Sequence, residues 1–378
     1  MGKSKLVSAL TCLFLILLSF QALALNLSRI DLSHTYDPDA PVRATYRVTQ
    51  NGQVITVFLV IQADSIALWN REFLLQNGYE SEGHRNLSPS TKVLESTGQF
   101  WRGRISFTAS DSENLLILKL GGEFNFYFDI PLKNGRVVFP HFYPIVQGNP
   151  NVTSFLSSNF LTWNVSDSIH VTSYTDNFPA ADAPMEEMKA LVPTVEEDST
   201  FIQDSTQFLD YHFYTFRVDS TSSSSITLLK TPPYYPTFRL VQELIGPMKY
   251  ITTEIEYKTL LQSSRPKRTF DEFWINTYGT KFRARNSIRK YFKSVEYANE
   301  YFTNFKQGWK TDRGMIFIIY GTPLEMYRTN TAEIWVYENQ EFEFLKVSSL
   351  FAPIFALRKD KKYEKEWYKE VGRLRKGE

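Results

Sequence analysis

Gly308-Trp309-Lys310-Thr311-Asp312-Arg313-Gly314 runs directly into the apolar stretch Met315 to Tyr320, which Gly321-Thr322-Pro323 brings to a stop. Just before it, Ile288, Tyr291, Phe292, Val295, Ala298, Phe302 and Phe305 recur at spacings of three and four, the period of one helix face. The stretch therefore reads as a helix stop followed by a strand start. Gly308 can take the left-handed conformation that ends a helix after Phe305. Thr311-Asp312-Arg313-Gly314 suits a tight turn, since an Asp side chain accepts a backbone N–H two residues on and Gly closes the turn freely. Met315 to Tyr320 is apolar on both faces, which predicts a central strand. Glu333 to Tyr337 and Phe342 to Val347 pair beside it as a meander, with Leu350 to Leu357 as a fourth strand. On this reading Trp309 packs over the first strand and offers its ring to the Arg313 guanidinium.

Helical signals flank this corner. Thr253 with Glu256 forms a capping box for a short helix ending at Leu261, and Thr269 with Glu272 forms another that opens Phe270 to Tyr278. At the far end Tyr363, Trp367, Val371 and Leu374 make an apolar stripe on a basic helix. That stripe is expected to pack on the neighbouring sheet. The alternative is peripheral contact with an anionic membrane surface or a partner through the basic face.

Upstream, from Leu27 to about His170, β-branched and aromatic runs alternate with turn residues, which points to a β-sandwich. Arg43 to Thr49 and Val54 to Gln62 flank Asn51-Gly52, a strong two-residue hairpin signal. Further turns are expected at Gly121-Gly122 and Asn134-Gly135. Between Asp176 and Thr200, Pro179, Pro184 and Pro193 stand among six acidic residues, which reads as a solvated linker or long loop. A second β-rich stretch follows, in which His212, Tyr214 and Phe216 face one side and Phe213, Thr215 and Arg217 the other. It is either a second small sandwich or the completion of the first.

The expected class is α+β: antiparallel β-sandwich regions, then a C-terminal module of helices and an antiparallel sheet. The divisions are a signal peptide at 1–24, a β-sandwich domain at 25–170, an acidic linker at 171–200, a second β-rich segment at 201–245, the module at 246–357 and the basic helix at 358–378.

Lys3 and Lys5 precede an apolar run from Leu6 to Leu18 that ends in Ala22-Leu23-Ala24, the form of a secretory signal cleaved after Ala24. Ser19 and Gln21 argue against an uncleaved anchor, and Cys12 lies within the apolar run behind Leu10-Thr11, not behind the small residues of a lipidation site. Cleavage removes the only cysteine, so the mature chain has no disulfide, thiol nucleophile or thiolate metal site. The chain has 42 basic and 41 acidic residues, and losing Lys3 and Lys5 leaves 40 against 41, which gives no support for nucleic-acid binding.

No catalytic, metal or cofactor constellation is legible. The five histidines, His34, His84, His141, His170 and His212, lie in separate segments with no paired ligand spacing. Asp210 and His212 share a strand face but lack a third ligand. Ser264-Arg265-Pro266-Lys267 and Ser287-Ile288-Arg289-Lys290 match S-x-x-K without the partner motifs of penicillin-recognising enzymes. The residues left as candidates for ligand contact are Trp309, Asp312, Arg313 and Tyr320. Gly308, Trp309, Thr311, Asp312, Gly314, Gly321 and Pro323 form the structural motif. Asp312 is a poor general base, because an adjacent arginine lowers a carboxyl pKa away from neutrality.

Phe273-Trp274, Val295-Glu296-Tyr297-Ala298-Asn299, the Gly308 to Gly314 stretch, Tyr320-Gly321-Thr322-Pro323 and Glu333-Ile334-Trp335 resemble the GWxTD-domain family in order and spacing, over about Ile245 to Val347. Glu338-Asn339-Gln340-Glu341 departs from it, standing where members tend to have a Gly-rich turn. The resemblance implies an exported protein of Bacteroidota, Acidobacteriota or related bacteria, with β domains upstream of the module and no established reaction. The expected function is a non-enzymatic binding or scaffold protein of the Gram-negative envelope, in the periplasm or at the cell surface, whose module assembles with envelope or outer-membrane proteins. The alternative is a periplasmic hydrolase or transferase acting on envelope polymer. It would use carboxylates such as Asp312 and Glu333, which would have to converge within about 5 to 9.5 Å.

Overall fold

The computed structural model describes residues 25–134, 137–166, 168–175, 178–187, 198–202, 208–347 and 354–377. The expected leader, Gly135 of the third turn and much of the acidic segment lie outside these residues. The class is α+β, with antiparallel sheets first and helices with an antiparallel sheet at the C-terminal end.

The first sandwich has eight strands: β1 Val42–Asn51, β2 Val54–Ala63, β3 Asn70–Gln76, β4 His84–Leu87, β5 Ser90–Ser96, β6 Phe100–Thr108, β7 Leu115–Gly121 and β8 Asn125–Pro131. They form two sheets, ordered β1-β2-β6-β5 and β4-β3-β7-β8, around a core that includes Val57, Leu59, Ile105, Leu116, Leu118 and Phe128. Asn51 pairs with Val54, so the first hairpin loop is Gly52-Gln53, one residue later than the Asn-Gly pair suggests, with Gly52 at φ +58°. Leu115 to Leu118 are all buried because β7 is covered on both faces: Leu116 and Leu118 face the sandwich core, Leu115 and Ile117 the C-terminal module.

After the short pair β9 Lys133–Asn134 and β10 Val137–Val138, a second sandwich begins. One sheet holds β11 Pro144–Val146, β12 Asn149–Pro150 and β14 Thr162–Trp163. The other is ordered β13-β18-β17-β15-β16, from β13 Phe155–Leu156, β15 Ile169–Thr175, β16 Asp198–Ile202, β17 His212–Arg217 and β18 Ser225–Lys230. The boundary expected at residue 170 therefore falls inside β15, and the strands from β11 onward belong to a separate core with Phe142, Trp163, Phe216 and Leu228. The alternation read in β17 holds: Tyr214 and Phe216 enter that core, and Phe213 faces the other way.

The module consists of α1 Val241–Ile245, α2 Glu254–Gln262, α3 Pro266–Tyr278, α4 Lys281–Phe302, α5 Asp312–Tyr320 and α6 Glu364–Lys376, with a sheet ordered β19-β20-β21-β22. These strands are β19 Glu325–Arg328, β20 Ala332–Tyr337, β21 Gln340–Val347 and β22 Ile354–Leu357. The main correction to the sequence reading is here. Met315 to Tyr320 is a helix, not a central strand, and β19 takes the fourth place in the sheet. A six-residue apolar run fits a buried strand or a buried helix equally, and the choice was made by its ends. Thr311 accepts the Gly314 N–H as an N-cap, Asp312 sits in the first turn, and Gly321 at φ +78° ends the helix.

Other expectations also shift. The capping box at Thr253 and Glu256 is present. That at Thr269 is not: α3 starts at Pro266, and the Thr269 hydroxyl bonds back to the Arg265 carbonyl inside the helix. Helix α4 ends at Phe302, and Phe305 leaves the helical stripe to pack between Phe178 and Phe213. The described part of the acidic segment is no solvated linker. Phe178, Ala181 and Pro184 are buried, the Ala181 N–H donates to the Lys310 carbonyl, and Asp182 pairs with Lys249 at 3.0 Å. The apolar stripe of α6 packs inward: Tyr363 lies on Phe342, Trp367 on Tyr320, and the Tyr278 hydroxyl donates to the Leu374 carbonyl.

Leu27, Leu32 and Tyr36 belong to the module core, not to the first sandwich. The Leu32 N–H donates to the Met326 carbonyl, and the Asp31 carboxylate accepts the Met326 N–H at 2.9 Å. The beginning of the described chain thus closes over its C-terminal sheet.

Candidate functional site

Helix α5 has a closed end and an open end. At the closed end the 3-10 turn Gly308–Lys310 is pressed against the last turns of α4. A Cβ on Gly308 would stand 2.0 Å from the Ala298 carbonyl oxygen, and one on Gly314 would stand 2.0 Å from the Gly308 oxygen. These glycines serve close backbone approach, and Gly308 does not supply the left-handed helix stop expected of it. Buried Asn299 accepts the Trp309 N–H at 3.1 Å, the Trp309 ring lies against Gly246, and its carbonyl accepts the Tyr250 hydroxyl at 2.9 Å. The Thr303 hydroxyl accepts the Gly308 N–H, and Thr311 bonds both the Gly308 carbonyl and the Gly314 N–H. Asp312 accepts the Leu357 N–H at 2.9 Å, which ties β22 to the first turn of α5. Separate pieces of the sequence motif, around Asn299 and Gly308 to Gly314, thus meet in one knot.

Arg313 points the other way from Trp309. Its guanidinium lies 4.0 Å from the Phe355 ring centroid and 5.1 Å from that of Phe302, so the cation–π contact expected with Trp309 is made with other rings. It donates to the Tyr36 hydroxyl at 2.8 Å and reaches Glu333 at 3.4 Å. Arg328, opposite Glu333 in the β19–β20 register, binds that carboxylate at 2.7 Å, the Tyr36 hydroxyl at 2.6 Å and Asp129 of the first sandwich. The Tyr79 hydroxyl donates to Asp129 at 2.6 Å, and the Trp335 indole N–H donates to Glu333 at 2.8 Å. Two arginines and two carboxylates thus compensate one another where the first sandwich meets the module.

Glu333 is fully buried (0% exposed). Burial alone would raise its pKa, but the Arg328 and Arg313 charges outweigh that and hold it below the ordinary carboxylate value. Burial pushes the Tyr36 hydroxyl up to about 12 against the lowering effect of both arginines, so it remains a neutral donor. Asp312 and Glu333 are engaged in separate internal contacts, Asp312 with the Leu357 N–H and Glu333 with Arg328 and the Trp335 indole.

At the open end, Gly321 turns the chain away and its carbonyl accepts the Tyr337 hydroxyl at 2.8 Å. Tyr320, the last residue of α5, packs on Phe342, Tyr337 and Trp367. Its hydroxyl is buried without a hydrogen-bond partner among the described residues. It lines a cleft of about 500 Å³ between α6 and the β20–β21 turn, and a second of about 260 Å³ against α3 and α4. Tyr320 and Arg373 border both.

Of the four residues expected to share a ligand surface, Trp309, Asp312 and Arg313 thus lie at the closed end. Tyr320 lies about 12 Å away along the helix axis, at 1.5 Å per residue. Tyr36, Asp129 and Arg328 escaped the sequence reading because nothing local marks a charge that finds its partner across the fold. Asp210 and His212 assemble no metal site: Asp210 pairs with Lys230, and among the described residues no group of three potential ligands could hold a metal ion. No described helix is long and apolar enough to cross a membrane.

Among known proteins, the model of the GWxTD domain matches residues 212–376, a span that starts in β17 and takes in α6. No curated protein matches the sequence. Two solved structures are similar at a low level: the crystal structure of DIP-gamma IG1+IG2 and that of Dpr11 IG1 bound to DIP-gamma IG+IG2. The first is 6% identical, covering 51% of this chain and 98% of that one, and the second 8% identical, covering 50% and 98%. The TM-score is 0.15 for both, at which a likeness carries no argument.

Proposed function

Because residues 212–376 form a GWxTD domain, we propose that this chain is a non-enzymatic binding or scaffold protein of the bacterial cell envelope, exported through a leader cleaved after Ala24. The observation that supports this reading best is the inward use of the motif. Thr311, Asp312 and Arg313 bond the protein's own backbone, Tyr36 and Glu333, and Glu333 has no exposed surface. Catalysis by carboxylates needs groups that reach a substrate and exchange protons near neutral pH. The acid–base alternative therefore loses the pair it relied on. The module contacts both sandwiches, through the Arg328–Asp129 pair on one side and the Phe178–Phe213–Phe305 cluster on the other. Units held to one another by such contacts suit the display of surfaces to other envelope components.

The test is affinity purification of the tagged chain from its own envelope in mild detergent, with fractionation and sequencing of the mature N-terminus. Stoichiometric co-purification of envelope proteins, with the chain beginning at Leu25, is the expected outcome. A clean monomer confined to the cytosol, or a purified chain that cleaves envelope polymer, would refute the proposal.

A further inference from the structure

The polar cleft at the open end of α5 is unused by anything described so far. Its walls are Tyr320 and Tyr337, Glu338 and Gln340 at the β20–β21 turn, and Glu370 and Arg373 on α6. Its volume of about 500 Å³ lies in the range of small-molecule sites. We infer that this cleft is a carbohydrate-binding site, taking a neutral polyhydroxylated ligand such as a short oligosaccharide. The inference rests on reading the chain as a binding protein, and it places a ligand site in the module.

Three features select that chemistry. First, both cations of the cleft are already matched, Arg373 with Glu370 at 2.8 Å and Lys369 with Glu366 at 2.8 Å, which leaves Glu338 as the remaining charge of its lining. An anionic ligand would have to break these pairs and face a surplus carboxylate, whereas hydroxyls can both donate to the carboxylates and accept from the cations. Second, an apolar ligand would desolvate the Gln340 amide and the Glu338 carboxylate at a cost. Third, the tyrosine rings of Tyr320 and Tyr337, with centroids 5.3 Å apart and tilted 47°, give an apolar wall suited to the C–H face of a sugar ring.

Calorimetric titration of the full mature chain with the tetrasaccharides of glucose, N-acetylglucosamine and xylose tests this, with a Lys-containing tetrapeptide as the competing class. Saturable binding of at least one sugar is expected, weakened at least ten-fold in Arg373→Ala and in Gln340→Ala with unchanged melting temperature. Tyr320→Phe keeps the ring and should bind the sugar as the parent does. Absence of saturable binding to every sugar, binding untouched by both Arg373→Ala and Gln340→Ala, or preference for the peptide would each overturn the assignment. No envelope partner enters this assay, so it can fail while the scaffold reading stands, and the reverse.

Discussion

At the residue scale, the motif is explained by packing limits and charge compensation. Gly308→Ala should cost more than about 4 kcal/mol, beyond the usual range of single substitutions, because the added carbon meets backbone that cannot move aside. Chemical denaturation checks this, and a loss under about 1 kcal/mol would show that α4 and the turn are not locked together. Removing one partner from a buried ion network costs about 3 to 5 kcal/mol, and Arg328→Ala should fall there because it strands both Asp129 and Glu333. Arg313→Ala should cost less, about 1 to 3 kcal/mol, since Glu333 keeps Arg328. The reverse order would refute the network as drawn. His34 supplies a pH signature. Its ring stands edge-on to Phe126 and Phe128, bonds the Tyr127 carbonyl and lies near Asp31, Asp129 and Arg328. Burial lowers its pKa from 6.5 to about 4. Below pH 6.5 the unfolded chain takes up a proton that the folded chain refuses until about pH 4. This contribution is therefore complete above 6.5 and is lost as the pH falls through that window, by roughly 3 kcal/mol at most. Melting temperature against pH should flatten there in His34→Phe; an unchanged profile would exclude His34 as the source.

At the element scale, α5 shows how a helix can be read as a strand. All residues from Gly314 to Ile319 are buried, so no amphipathic period survives to identify it. The information sat in the caps, and Thr311 served as N-cap where a turn was expected. Thr311→Ala should therefore cost about 1 to 2 kcal/mol through the lost cap, as read by thermal unfolding, and Thr311→Ser should recover most of it. Equal losses in both would mean that the hydroxyl bond is not what matters. Helices α2, α4 and α6 were legible because each keeps an exposed face. The apolar stripe of α6 packs inward as expected, though Trp367 meets Tyr320 of α5 and Leu374 meets Tyr278 of α3, and only Tyr363, just before the helix, lies on the sheet residue Phe342.

At the scale of the whole molecule, the GWxTD domain is incomplete without the first described residues. Leu27, Leu32 and Tyr36 cover Met326 and Trp335, and Tyr36 also ties Arg313 to Arg328. Residues 212–376 expressed alone should lack the cooperative melting transition of the full chain, and added peptide 25–41 should restore part of it. A cooperative melt of the isolated piece at the full chain's temperature would refute this dependence. The sequence by itself determined the α+β class, the hairpins, the two-faced alternation of β17 and the resemblance of the C-terminal third. Those features follow from neighbours a few residues apart, where backbone preference and side-chain period act directly. Only the tertiary structure decided that the chain start lies on the C-terminal sheet, that Asp129 and Arg328 pair across 199 positions, and that the motif faces inward while the cleft at Tyr320 stays open. Burial and charge compensation depend on which surfaces meet, and that is a property of the assembled fold that no local stretch carries.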